Sequence, residues 1–126
     1  MKAYTDLEQS KKLAEFLPLE TADMHWEYDF TEHECVIKVM DKHFDDTCIP
    51  AWSLSALLEQ IPSDIKTKDG CDYTLEIEKC DAEHLPCGLN YHDNWGRGED
   101  IITHYYDNFI DSSYEMIVKL HELKLL

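Results

Sequence analysis

Apolar residues recur every three to four positions in three parts of the chain, the spacing that lines one face of an α-helix. These parts are Asp6–Phe16, the stretch between Pro50 and Pro62, and Phe109–Leu123. The middle stretch has the most regular stripe, formed by Leu54, Leu57, Leu58 and Ile61. The sequence therefore predicts three amphipathic helices.

The first and last of these helices carry further signals. Thr5 precedes the first helix and Glu8 follows three residues later, which predicts Thr5 as the N-cap of a capping box. In the last helix, Tyr114, Ile117 and Leu120 fall on one side of a 3.6-residue period. We expect this side to dock on the core.

Five other segments alternate between apolar and polar residues or have the composition of β-strands. They are Trp26–Phe30, Cys35–Met40, Cys71–Glu78, Leu89–Tyr91 and Ile101–Tyr106. Together with the helices they predict an α+β fold, in which a mainly antiparallel sheet of about five strands has three helices packed on one face. A length of 126 residues with 44% hydrophobic residues predicts a single globular domain over residues 1–126.

Charge changes this picture more than any motif does. The chain has 27 Asp and Glu against 11 Lys and Arg, a formal net charge of −16. Such a surface repels phosphate groups, so we expect neither direct nucleic-acid binding nor contact with anionic membranes. The acids concentrate in Glu20–Glu34, Asp69–Glu83 and Glu99–Glu115. They indicate either a basic partner protein or a simple contribution to solubility, because clustered like charge costs stability unless binding makes use of it.

The chain contains no apolar segment long enough for a signal peptide or a membrane span, which predicts a soluble, cytoplasmic protein. Its cysteines are odd in number and too sparse for a secreted disulfide scaffold, so reduced thiols are expected. They are Cys35, Cys48, Cys71, Cys80 and Cys87.

One group of residues has the composition of a zinc site. Cys80, His84, Cys87 and His92 are four sulfur or imidazole ligands within thirteen residues, and such ligands suit zinc. Their spacing is not that of paired CxxC motifs, and a chain with 7 His and 5 Cys produces such groups by chance. We therefore predict buried thiols and exposed imidazoles, with no metal and no cofactor.

Catalytic signatures are missing from the sequence, since it has no GxSxG, HExxH, P-loop or GxGxxG motif. Two His residues have acids close by in sequence, and each set could in principle perform acid/base chemistry. They are His43 with Asp45 and Asp46, and His104 with Asp107 and Asp111. Among 27 acids such sets are expected on any solvated surface, so no catalytic residue is assigned.

The segment His92–Asp100 is the best candidate for a contact site. It places Trp95 and Arg97 beside Gly96 and Gly98, in a flexible loop that joins two predicted strands. Trp and Arg are typical anchors of protein interfaces. The alternative is that Trp95 folds over the edge of the sheet while Arg97 offsets the neighbouring acids.

Three segments resemble a group of small uncharacterised proteins associated with prophages and mobile elements of gut anaerobes. They are Leu17–Trp26 (LPLETADMHW), Ile49–Ile61 (IPAWSLSALLEQI) and Asp111–Leu126 (DSSYEMIVKLHELKLL). The resemblance implies a mobile-element context without an activity. We therefore expect a non-enzymatic accessory or binding protein of a phage or mobile element that engages a basic partner protein through acidic surface patches. The alternative is a small hydrolase-like enzyme that uses a His and carboxylates.

Overall fold

The fold is α+β, as predicted, and its strands are joined in antiparallel pairs. The computed structural model describes residues 2–68, 70–79, 86–94 and 103–126, with residues 103–105 described by their backbone alone. In chain order the elements are α1 (Leu7–Ala14), a 3₁₀ turn (Leu19–Thr21), β1 (Met24–Asp29), β2 (Glu34–Val39), β3 (Ile49–Ala51), α2 (Leu54–Gln60), β4 (Asp64–Lys66), β5 (Asp72–Lys79), β6 (Cys87–Asp93), β7 (Thr103–Tyr106) and α3 (Phe109–Glu122).

The strands form two sheets, so the predicted single sheet of about five strands is wrong. The first sheet has the order β2-β1-β3 and the second the order β4-β5-β6-β7. Two strands that the sequence did not predict, β3 and β4, are three residues long, too short to show an alternating pattern. They lie on either side of α2, and each pairs with a strand of its own sheet.

The helices are also not gathered on one face of one sheet. The long helix α3 packs against β6, β7 and α2, whereas α1 contacts β3 of the other sheet. This arrangement follows from a core that all three helices share. Its buried members are Leu13, Leu17, Ala22, Trp52, Ala56, Leu57, Ile61, Ile65, Tyr73, Leu89, Tyr91, Ile110, Met116, Ile117 and Leu120.

The first helix begins one residue later than predicted. Asp6 is its N-cap and accepts a hydrogen bond from the Gln9 backbone at 2.8 Å, while the Gln9 side chain accepts one from the Asp6 backbone at 3.1 Å. Thr5, the predicted cap, is fully buried instead. Its backbone and hydroxyl bond the backbone of Trp52, and its carbonyl accepts from Trp26 Nε1 at 3.1 Å. Thr5 thus ties the start of the chain to Trp26 of β1 and to Trp52, the residue that follows β3.

Candidate functional site on the β1–β2 hairpin

The hairpin formed by β1 and β2 carries the most unusual surface of the described residues. Its two strands pair in full antiparallel register, from Met24 opposite Val39 to Asp29 opposite Glu34. The turn between them is held by Asp29 Oδ1, which accepts the backbone N–H of Thr31 at 2.8 Å. This Asx turn presents the connecting residues to solvent.

Two aromatic side chains project at the end of the hairpin. Phe30 is 81% exposed and Tyr28 is 47% exposed. Their rings meet edge to face, with centroids 5.0 Å apart. An exposed Phe in contact with another exposed aromatic is an apolar patch, and such patches on proteins often mark contact sites.

Acids surround this aromatic pair. Glu32 and Glu34 are exposed, and Asp29 lies between the two rings in sequence. The wider segment Glu20–Glu34 contains no Lys or Arg. We refer to Tyr28–Glu34 as the acidic–aromatic tip.

A polar cluster lies farther along the hairpin, on the face that includes His25 and Glu27. His25 is fully buried, and its Nε2 lies 3.2 Å from Glu27 Oε2. The other carboxylate oxygen of Glu27 forms an ion pair with Lys38 Nζ from β2. Hydrogen bonds from Lys38 and then from His25 hold the pKa of Glu27 below its ordinary value, so this carboxylate is ionised at neutral pH.

The segment between β2 and β3 covers this cluster. Phe44 contacts the His25 ring edge to face at a centroid distance of 5.8 Å. Cys48, at the end of the segment, completes a group with His25 and Glu27 in which one ligand atom of each residue lies within 4.8 Å of the others. This group could not be predicted from the sequence, because it depends on β3, which brings Cys48 back beside β1. The only sequence signal is a His and a Glu two residues apart on a predicted strand.

The first candidate acid/base set, His43 with Asp45 and Asp46, lies in turns of the same exposed segment. The His43 backbone donates to Asp41, and Asp45 Oδ1 accepts from the backbone and hydroxyl of Thr47 at 2.8 and 2.5 Å. The bonds from Thr47 lower the pKa of Asp45. Asp45 is therefore a turn-forming carboxylate, not a proton donor at neutral pH.

In the second candidate set, Asp111 forms an ion pair with Lys2, and its backbone N–H donates to Asn108, the N-cap of α3. Asp107 is exposed. The side chain of His104 lies outside the described part of the chain. Asp111 accepts hydrogen bonds from Lys2 and Gln9, both at 2.8 Å, so its carboxylate joins the N-terminal segment to α3.

The zinc-like group Cys80, His84, Cys87 and His92, for which no metal is predicted, cannot place all four residues around one ion. Cys80 and His84 lie outside the described residues, but Cys87 and His92 both belong to β6. Five residues along a strand span about 16 Å, and an odd separation puts the two side chains on opposite faces. Cys87 is buried and His92 is exposed. These two residues therefore cannot bind one metal ion together.

The predicted contact residues Trp95 and Arg97 also lie outside the described residues. Among those that are described, no helix has the length and apolar character needed to cross a bilayer. No family model matches the chain, and neither a curated protein nor a solved structure was found to be similar to it.

Proposed function

We propose that the protein is a non-enzymatic binding protein that engages a basic partner protein through the acidic–aromatic tip. The observation that carries the proposal is the 81% exposure of Phe30 at the end of the hairpin, within the segment Glu20–Glu34, which contains no Lys or Arg. Burying a large aromatic side chain is strongly favourable, but Phe30 is not buried in the shared core. A partner that covers Phe30 would gain that free energy.

The chemistry of the tip favours an Arg- or Lys-bearing surface as its partner. A cation can stack on the face of Phe30 or Tyr28 while it pairs with a nearby carboxylate. The three side chains Asp29, Glu32 and Glu34 supply that charge within a few residues of the rings. The aromatic pair would provide short-range packing, and the acids would steer the partner during encounter.

We also propose an accessory role within a phage or mobile element and a cytoplasmic location. The resemblance of three segments to mobile-element proteins supports the first. The second is supported by the free thiols of Cys35, Cys48, Cys71 and Cys87, the cysteines that belong to the described residues.

The proposal is tested by capturing partners from the source cell at low salt and measuring binding kinetics of the tightest basic partner over a salt series. The association rate should fall as salt rises, because the Debye length shortens from about 10 Å at 0.1 M to about 3 Å at 1 M. Changing both Glu32 and Glu34 to Gln should slow association and flatten this salt dependence.

Phe30→Ala should act on a different step. Removing the anchor should speed dissociation at least tenfold while leaving the association rate nearly unchanged, because long-range attraction does not depend on the ring. Leu123→Ala is the matched control, since Leu123 is an apolar residue that is 42% exposed outside the hairpin. Trp95→Ala tests the loop that the sequence analysis favoured. Dissociation that is speeded by Trp95→Ala and unchanged by Phe30→Ala would move the contact site away from the tip.

A further inference from the structure

The group His25, Glu27 and Cys48 is brought together by strand pairing and not by chance proximity of a mobile side chain. His25 and Glu27 are two residues apart on β1, so they share a face. Trp26 pairs with Ile49 of β3, and Cys48 is the residue that directly precedes Ile49, so the pairing brings Cys48 beside β1. The ligand atoms of the three residues all lie within 4.8 Å of one another.

The three side chains offer an imidazole nitrogen, a thiol sulfur and a carboxylate oxygen. This combination suits zinc, which accepts all three ligand types in a tetrahedral arrangement. Two ligand atoms about 2.0–2.1 Å from a tetrahedral zinc ion lie about 3.3 Å apart. The observed separation between His25 Nε2 and Glu27 Oε2 is 3.2 Å, so these two atoms already have the spacing that a shared ion requires.

The His25 ring presents one of its two nitrogens to the cluster. The side chain is fully buried, and Nε2 is the atom that faces Glu27 Oε2. Nδ1, which has no hydrogen-bond partner among the residues that the structure describes, points away from Nε2 and cannot bind the same ion. A neutral imidazole that carries its proton on Nδ1 leaves the Nε2 lone pair free to bind a metal ion.

The charged groups around the cluster are compatible with a bound cation. Lys38 pairs with Glu27 Oε1, so Oε2 is the oxygen that faces His25. On the other side, Asp45 Oδ1 lies 3.7 Å from Cys48 Sγ and adds a negative charge beside the thiol. A zinc ion would also favour the thiolate form of Cys48.

We propose that His25, Glu27 and Cys48 form a binding site for one Zn²⁺ ion, with the fourth position open to water or to another ligand. The proposal is independent of partner binding at the tip. Zinc there would join the segment that precedes β3 to the central strand of the first sheet.

The test uses the full chain, freed of metal with a chelator and titrated with Zn²⁺ in competition with a chromophoric chelator. One zinc ion per chain should bind. Cys48→Ser should weaken binding at least about tenfold, the lower end of the loss seen when residues that merely support a metal ligand are removed. Cys35→Ser is the control, because Cys35 is an exposed thiol on β2 of the same sheet.

Two further measurements identify the ligands. Co²⁺ in place of zinc should give a thiolate-to-metal absorption band that Cys48→Ser abolishes and Cys35→Ser keeps. Zinc should raise the urea midpoint of the unchanged chain by mass action and have little effect on Cys48→Ser. Glu27→Gln, which keeps the shape of the side chain, provides a second variant should Cys48→Ser fold poorly.

The proposal is overturned if the metal-free chain takes up no stoichiometric zinc at micromolar concentrations. It is equally overturned if zinc binds with unchanged affinity to Cys48→Ser and Glu27→Gln. Loss of zinc in Cys80→Ser but not in Cys48→Ser would place the ion at the segment Cys80–His92 instead.

Discussion

Asp111 is the residue that joins the start of the chain to the start of α3. Its Oδ1 accepts hydrogen bonds from Lys2 and Gln9, and its Oδ2 accepts one from Asn108, the N-cap of α3. Burial acts to raise the pKa of Asp111, but the bonds from Lys2, Gln9 and Asn108 outweigh it and hold the pKa below its ordinary value of 3.8. The ionised carboxylate is therefore the form that stabilises this junction.

The lowered pKa fixes the direction of a pH effect. The stability that Asp111 contributes is fully present above the pKa of the unfolded chain and is lost as the pH falls through the lower pKa of the folded state. At pH 7, Asp111→Asn should cost about 1 kcal/mol, a value discounted for the partial exposure of the site. Between pH 5 and pH 2 the difference in the free energy of unfolding between Asp111→Asn and the unchanged chain should become smaller.

Urea denaturation of both proteins across this pH range checks the prediction. Asp46→Asn is the control, because Asp46 is exposed in the segment between β2 and β3. If the free energies of unfolding of Asp111→Asn and the unchanged chain differ by the same amount from pH 7 to pH 2, the ionised Asp111 carboxylate does not stabilise the junction.

At the scale of elements, α3 is the clearest case of a helix stabilised by its packing face. Ile117 and Leu120 are fully buried and Tyr114 is partly buried, as the 3.6-residue period indicates. Leu120→Ala should lower the free energy of unfolding by about 2–5 kcal/mol, because it leaves a cavity in the shared core. Leu123, one turn further and 42% exposed, provides a control in which the change should be within about 0.5 kcal/mol. Equal urea midpoints for Leu120→Ala and the unchanged chain would rule out the docking.

The sequence could predict the elements that are long enough to show a repeating hydrophobic pattern. The helices α2 and α3 and the strands β1, β2 and β5 lie where apolar spacing or alternation placed them. The strands β3 and β4 could not be predicted, because three residues do not establish a period. Their pairing with β1 and β5 divides the strands into two sheets, and strand pairing is decided by contacts distant in sequence.

The candidate sites could be predicted only in part, again because they depend on contacts between residues distant in sequence. The alternation of Trp26, Tyr28 and Phe30 correctly predicted a strand, but β1 ends at Asp29, one residue before Phe30. The alternation did not show that the fully buried residue of β1 is His25, while Tyr28 and Phe30 are exposed. The group with Cys48 was out of reach, because it exists only through the register of β3. Thr5 is a similar case, since its hydroxyl accepts the backbone N–H of Trp52 and bonds the Ser10 hydroxyl instead of capping α1.

The whole molecule is governed by its excess of negative charge. Against 27 acids, the 11 Lys and Arg cannot neutralise the surface, and some of them are already paired. Lys2 is bound to Asp6 and Asp111, and Lys38 is bound to Glu27. Folding brings the remaining acids closer together than they are in the unfolded chain, so self-repulsion opposes folding.

This repulsion predicts that moderate salt stabilises the folded protein. Raising NaCl from 0.01 M to 1 M shortens the Debye length from about 30 Å to about 3 Å, which screens repulsion between separated acids more than attraction within close ion pairs. The urea midpoint should rise steeply at low salt and then level off. Urea is the required denaturant, because guanidinium is itself a salt.

The variant with Glu32 and Glu34 both changed to Gln removes two exposed acids from the tip. Its urea midpoint should be higher at low salt and should rise less as salt is added. A midpoint that falls with salt would mean that the pairs of Lys2 and Lys38 outweigh the repulsion. A rise that continues linearly to 1 M would indicate exclusion of salt from the surface instead of screening.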